Sequence, residues 1–211
     1  GDHAAARIYF DAGLAISREL EDKYGVAMSL SFLGDLARTE DRYADAKPMF
    51  EEAVQLFRIL ENKTAVSDAL NNLGAAEYCL GDTKNAAEHF SEALRSAHEL
   101  SNRITISCSL DGLAAIAAGL GDGTKAAWLS GAADRLREMV GYKIEPAEAK
   151  LRDRYRTSLL VNFSVDELKT LAAQGAAWPM EKAVNEALRF AVSRQTVVDR
   201  DHATASTATP E

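Results

Sequence analysis

The 211-residue chain carries a net charge of −8, with 47% apolar and only 7% aromatic residues. Such an acidic balance argues against a nucleic-acid surface, which rests on clustered Lys and Arg. The apolar share is enough for a continuous core, and small and aliphatic side chains must fill it, which favours closely packed helices.

No stretch approaches the 18 apolar residues of a membrane span, and no cleavable targeting segment stands out. Cys79 and Cys108 lie in apolar helical patterns and form no disulfide or metal framework. The expected setting is therefore cytoplasmic.

The chain opens on "GDHAAARIYFDAGLAISREL", a helical pattern already under way. Shifted against itself by 40 residues, the sequence falls into columns: Leu33, Leu73 and Leu113; Ala6, Ala46, Ala86 and Ala126; Phe10, Phe50 and Phe90; Gly13, Ala53, Ala93 and Ala133. Each copy holds two amphipathic helical stretches around a turn rich in Gly, Asp or Asn, so the unit is a helical hairpin. Small residues at Gly34, Gly74 and Ala114 let two helix axes approach closely. One hairpin cannot bury both of its apolar faces, and stacked hairpins form a curved solenoid whose first helices line the concave side. In this register Gly1-Asp2 aligns with the turns Gly81-Asp82 and Gly121-Asp122. The first copy is then expected to lack its first helix and to leave an apolar face open to self-association.

Leu33-Gly34 followed by Ala46, Phe50 and Ala53, and Leu73-Gly74 followed by Ala86, Phe90 and Ala93, resemble the tetratricopeptide repeat (TPR). That resemblance implies an all-α fold: a right-handed α-α superhelix of TPR hairpins, about 3.5 repeats of 40 residues, closed by a C-terminal helical cap. The period exceeds the usual TPR by about six residues. The copy from Leu113 onward departs from the pattern, with Ala114 in place of Gly and Ser130 in place of Phe. Residues 128–188 resemble the C-terminal end of bacterial multidomain regulators, among them signalling ATPases of the LuxR type and TPR-bearing kinases or cyclases. The resemblance implies that such a module precedes the repeats in a longer parent.

The repeats are expected over residues 1–141, capping helices over 142–194 and a flexible tail over 195–211. Pro146 is placed to open a helix running to about Leu160. Ser164 and Glu167 form a capping-box pattern for a second helix, and a third follows "AAWP" from Met180 to Ser193. Together the three are expected to close the open end of the stack.

Catalytic, cofactor and metal sites are not expected. "GLGDGTK" lacks the spacing of a phosphate loop and aligns with the hairpin turn "LGDTK". The four histidines show no metal-ligand spacing, and the acid pairs lie on solvated helix faces. The concave strip is the expected contact surface: Met28, Ser31, Asp35 and Arg38, then Asp68, Asn71, Asn72 and Tyr78, then Cys108 and Asp111. Asn71 and Asn72 are able to pair with an extended peptide backbone, or Asn72 is satisfied within the fold, while Arg38 offers an anchor for one acidic group. The expected partner is a protein or peptide segment, including other domains of the parent. The alternative is an effector-sensing domain with a small-molecule inducer inside the superhelix, a reading weakened by Tyr78 being the only aromatic on the strip.

Overall fold

The computed structural model describes residues 3–206, with side chains described through residue 193. Among the described residues there are ten helices and no strands. Seven form the repeat body: α1 (His3–Glu19), α2 (Lys23–Thr39), α3 (Tyr43–Ile59), α4 (Lys63–Cys79), α5 (Thr83–Glu99), α6 (Arg103–Gly119) and α7 (Gly123–Val140). Consecutive helices pack against one another along the chain, as in a TPR superhelix.

Each junction in this body turns on one residue with positive φ, Glu21, Asp41, Glu61, Gly81, Ser101 and Gly121, spaced 20 positions apart, and Gly141 ends α7 in the same conformation. The left-handed residue ends one helix. The next residue starts another, since Asp22, Asn62, Asp82, Asn102 and Asp122 each accept a hydrogen bond from a backbone N–H of the first turn. Arg42 occupies the same place with no side-chain cap. "GLGDGTK" is one of these junctions, with Asp122 Oδ1 accepting from the Lys125 N–H at 3.0 Å.

The repeated columns are where the helices touch. Phe50 and Phe90 are fully buried together with Ala46, Ala53, Ala86 and Ala93. A Cβ placed on Gly34 would stand 2.7 Å from the Phe50 ring, and one on Gly112 2.3 Å from the Phe90 ring. The glycines therefore buy room for the aromatic knobs. By contrast, α1 has no buried residue, and its Ile8, Tyr9 and Ile16, with Leu20 just past its end, are exposed.

The remaining helices are α8 (Pro146–Leu159), α9 (Val165–Ala176) and α10 (Met180–Ser206). Ser164 and Glu167 cap α9 reciprocally, as their spacing predicts. The three helices pack at different places on the repeat body. Only α9 packs broadly on α7, at a crossing so tight that a Cβ on Gly131 would meet Ala172 O at 1.9 Å and one on Gly175 would meet Trp128 O at 1.9 Å. Trp128 Nε1 donates to Gln174 at 2.9 Å across the same contact. Meanwhile α8, which follows α7 in sequence, lies against α6 and reaches α2, and α10 packs against α5, α6 and α7. Helix α10 also passes the expected end at Ser193. The tail expected over 195–211 thus falls partly on α10 and partly on residues 207–211, outside the described residues. Among the described residues no helix is long and apolar enough to cross a membrane.

Candidate partner-binding groove

The first helices α2, α4 and α6 form the face expected to receive a partner, and α8 lies in it. Lys150 Nζ donates to Thr39 O at 2.6 Å and to Asp41 at 2.7 Å, pinning α8 to the end of α2. The Cys108 thiol of α6 donates to Glu148 Oε1 at 3.0 Å. The Tyr155 hydroxyl lies 2.5 Å from Asp111 Oδ1 and 2.9 Å from Ser130 Oγ. Leu151, Tyr155 and Leu159 are buried in the same core as Leu110, Leu113 and Leu129.

Beneath α8 runs a chain of ion pairs. Asp111 meets Arg137 of α7, with Arg152 Nε of α8 at 3.1 Å. Asp134 meets Arg152, and Arg156 at 2.6 Å. Asp111, Arg137 and Arg152 are all buried. Charges so far from water are tolerated only when paired, and removing one partner strands the other. Burial works against the Arg137 charge, but Asp111, Cys108 and Asp134 together outweigh it and hold the guanidinium pKa above its ordinary value. Burial, and then Asp111, push the Tyr155 phenol upward, while burial and Glu148 push up the Cys108 thiol.

The expected groove residues separate into two groups. Asp35, Asp68, Asn71, Asn72 and Cys108 line one cavity of about 290 Å³, together with Tyr142, Glu145 and Glu148 from the entry to α8. The other five are committed elsewhere. Arg38 is buried, donates to Asn72 Oδ1 at 2.7 Å and lies 3.4 Å from Asp35, so it is not the free anchor expected for an acidic group. Asn72 is accordingly partnered within the fold. Asp111 is buried beneath α8, and Tyr78 donates its hydroxyl to Ala115 O at 3.0 Å. Ser31 donates to Ala27 O of its own helix at 2.9 Å, and Met28 packs on the Leu30–Phe57 cluster. Asn71 Oδ1 accepts from Ser109 at 3.2 Å while still facing the cavity.

Asp134, Arg137, Arg152 and Tyr155 were not singled out by sequence reasoning, and Ser130 only as a departure from the repeat pattern, yet the 40-residue register carries a sign of two of these five. Ser130 stands in the column of Phe50 and Phe90, leaving space and a hydroxyl where Tyr155 and Arg156 arrive. Arg137 stands in the buried column of Phe57 and Ala97. A cation in an apolar column requires a buried acid, and Asp111 supplies it. Among the described residues no group of three His, Cys, Asp or Glu is placed to hold a metal ion.

This architecture defines a helical-repeat solenoid with a lined groove. More particularly, residues 1–59 and residues 66–103 each match a family model described as tetratricopeptide repeat. No curated protein matches the chain closely enough to count as a relative. Tetratricopeptide repeats are in general non-catalytic and mediate protein–protein interactions.

Proposed function

We propose that the chain is a non-catalytic interaction module of a larger bacterial signalling or transcription-regulatory protein, working in the cytoplasm, whose groove takes a protein segment presenting a basic side chain. One observation carries this reading: five of the expected contact residues line a single cavity that also holds Glu145 and Glu148. Asp35, Asp68, Glu145 and Glu148 give that cavity an acidic lining, with Arg38 beside Asp35 as an opposing cation. A Lys or Arg is the complementary side chain. Burial pushes the Asp35 carboxyl up to about 6, Arg38 opposes the rise, and Glu145 and Glu148 add to it. An incoming cation relieves that strain.

The test is fluorescence anisotropy with short peptides that differ only in a central Lys, Ala or Glu. The Lys peptide is expected to bind best, and Asp35→Asn with Asp68→Asn to weaken it at least about tenfold, the cost of losing charge-assisted bonds. Equal affinity for all three peptides would move the site elsewhere. Self-association belongs to the same proposal, supported by the exposed Ile8, Tyr9 and Ile16 on α1 and Leu20 just past its end. Sedimentation of Ile16→Glu against the unaltered chain tests it.

A second reading, a small-molecule effector site, is favoured by a cavity of about 630 Å³ among α7, α8 and α9. Leu159, Leu160, Val165 and Leu168 wall it and Arg156 and Lys169 stand at its edge. That volume suits a drug-sized ligand. Calorimetric titration with amphipathic metabolites separates it from the first reading.

A further inference from the structure

We propose that α8 is a ligand of the groove bound in cis, and that the groove's outside partner is an amphipathic helix of the same chemistry that competes with α8. This rests on reading the groove as a partner site and specifies what enters it.

The packing order of the helices is the first support. Residues 141–164 leave α7, cross the groove as α8 and return to α9. The backbones of α7 and α9 meet directly at Gly131, Ala172, Gly175 and Trp128. Helix α8 is therefore an excursion between two elements that hold each other, and it can leave the groove without parting them.

Its chemistry is the second. Of the 14 residues of α8, the buried ones are Leu151, Arg152, Tyr155 and Leu159, a single stripe at helical spacing. Of the remainder, Ala147, Glu148, Ala149 and Arg156 are half-buried and the others are exposed. Contact with the groove is specific through charge: Arg152 meets Asp111 and Asp134, and Arg156 meets Asp134. Such pairs contribute little net stability against solvated charges but discriminate strongly against a wrong partner. Asp111 and Asp134 belong to the repeat body, so when α8 leaves they keep Arg137 alone, and a helix that brings further cations restores the lost pairs. A helix with Leu, Arg, Tyr and Arg in the positions of Leu151, Arg152, Tyr155 and Arg156 meets every requirement. Being tethered, α8 acts at a high effective concentration and masks the groove from weak competitors.

The experiment uses the full chain and a labelled peptide of residues 145–160. Arg152→Glu places a carboxylate against Asp111 and Asp134 and expels α8, while the peptide keeps its Arg. The Arg152→Glu chain is expected to bind the peptide at least about tenfold tighter than the unaltered chain, because the tethered competitor is gone. A peptide carrying the same Arg152→Glu change is expected to bind neither. Equal binding to the two chains, or no binding to a folded Arg152→Glu chain, overturns the proposal. Should that variant not fold, hydrogen exchange on the unaltered chain decides: α8 amides are expected to exchange at least about tenfold faster than those of α7 and α9, through local opening. Equal protection overturns the proposal. Binding of the Lys peptide to the acidic cavity, measured in the unaltered chain where α8 keeps Glu145 and Glu148 in the lining, reports separately on the broader reading.

Discussion

The Tyr155 hydroxyl and the Asp111 carboxylate stand 2.5 Å apart beneath α8, joining residues 44 positions apart. Both are nearly inaccessible, and Asp111 also meets Arg137 and Arg152. One carboxylate thus holds the repeat body, α7 and the excursion α8 in a single polar joint.

Tyr155→Phe keeps the ring and removes the hydroxyl. Asp111 and Ser130 lose a partner, which costs about 1–3 kcal/mol for a buried group. Urea unfolding is expected to show that loss with little change in helical circular dichroism. A midpoint equal to that of the unaltered chain would mean the joint contributes nothing.

The α7–α9 crossing depends on two glycines approached by backbone. Gly131→Ala or Gly175→Ala drives a methyl into a carbonyl at 1.9 Å, and backbone cannot swing aside as a side chain can. Each is expected to destabilise by about 3 kcal/mol or more. Gly119→Ala is the control, since its Cβ would meet only Tyr78 Oη at 3.7 Å. Comparable melting temperatures for Gly131→Ala and Gly119→Ala would contradict the packing described.

The repeat body was legible because its signals recur: the same Ala, Phe and Gly columns return every 40 residues, and a caps-and-turn pattern marks nearly every junction. The place of α8 was not, because period says where a helix falls in the chain and not what it packs against. The 40-residue register puts another first helix near residue 143, and α8 begins at Pro146. Yet α9 takes that place on α7, since it brings Gly175 to the crossing and α8 brings no glycine. Five of the expected groove residues do share a cavity, because the helical face is fixed by the register. Arg38 and Asp111 are buried for a reason outside the register: each meets a charged or polar group from a distant helix.

Several junctions place a residue with a side chain in the left-handed region, Glu61 among them with φ 54°. Glycine at the equivalent Gly81 and Gly121 meets the same turn without that cost. Glu61→Gly is therefore expected to stabilise the chain by about 1 kcal/mol, after the larger entropy of the unfolded glycine is discounted. A lowered melting temperature would contradict it.

Glu77 is buried and lies 2.6 Å from His89 Nδ1, with Lys47 Nζ 3.3 Å away. The hydrogen bond to Glu77 raises the His89 pKa above 6.5, although burial opposes it. The folded state thus binds the proton more tightly than the unfolded chain. The stabilisation is full below the unfolded pKa near 6.5 and is lost as pH rises through the higher folded value. His89→Ala is expected to flatten the stability–pH curve across that window. An unchanged slope there would assign the titration to another group.

Cys108 reports most directly on the central claim that α8 covers the groove. It is buried beneath Glu148, and burial together with that carboxylate holds the thiol in its unreactive protonated form. In a Cys79→Ser background, alkylation of Cys108 by a maleimide is expected to be slow in the otherwise unaltered chain. Arg152→Glu is expected to speed it at least about tenfold while the repeat helices stay folded, as α8 opens. A folded Arg152→Glu chain that labels at the unchanged rate, or a Cys108 that reacts at once before any change to α8, would contradict the account.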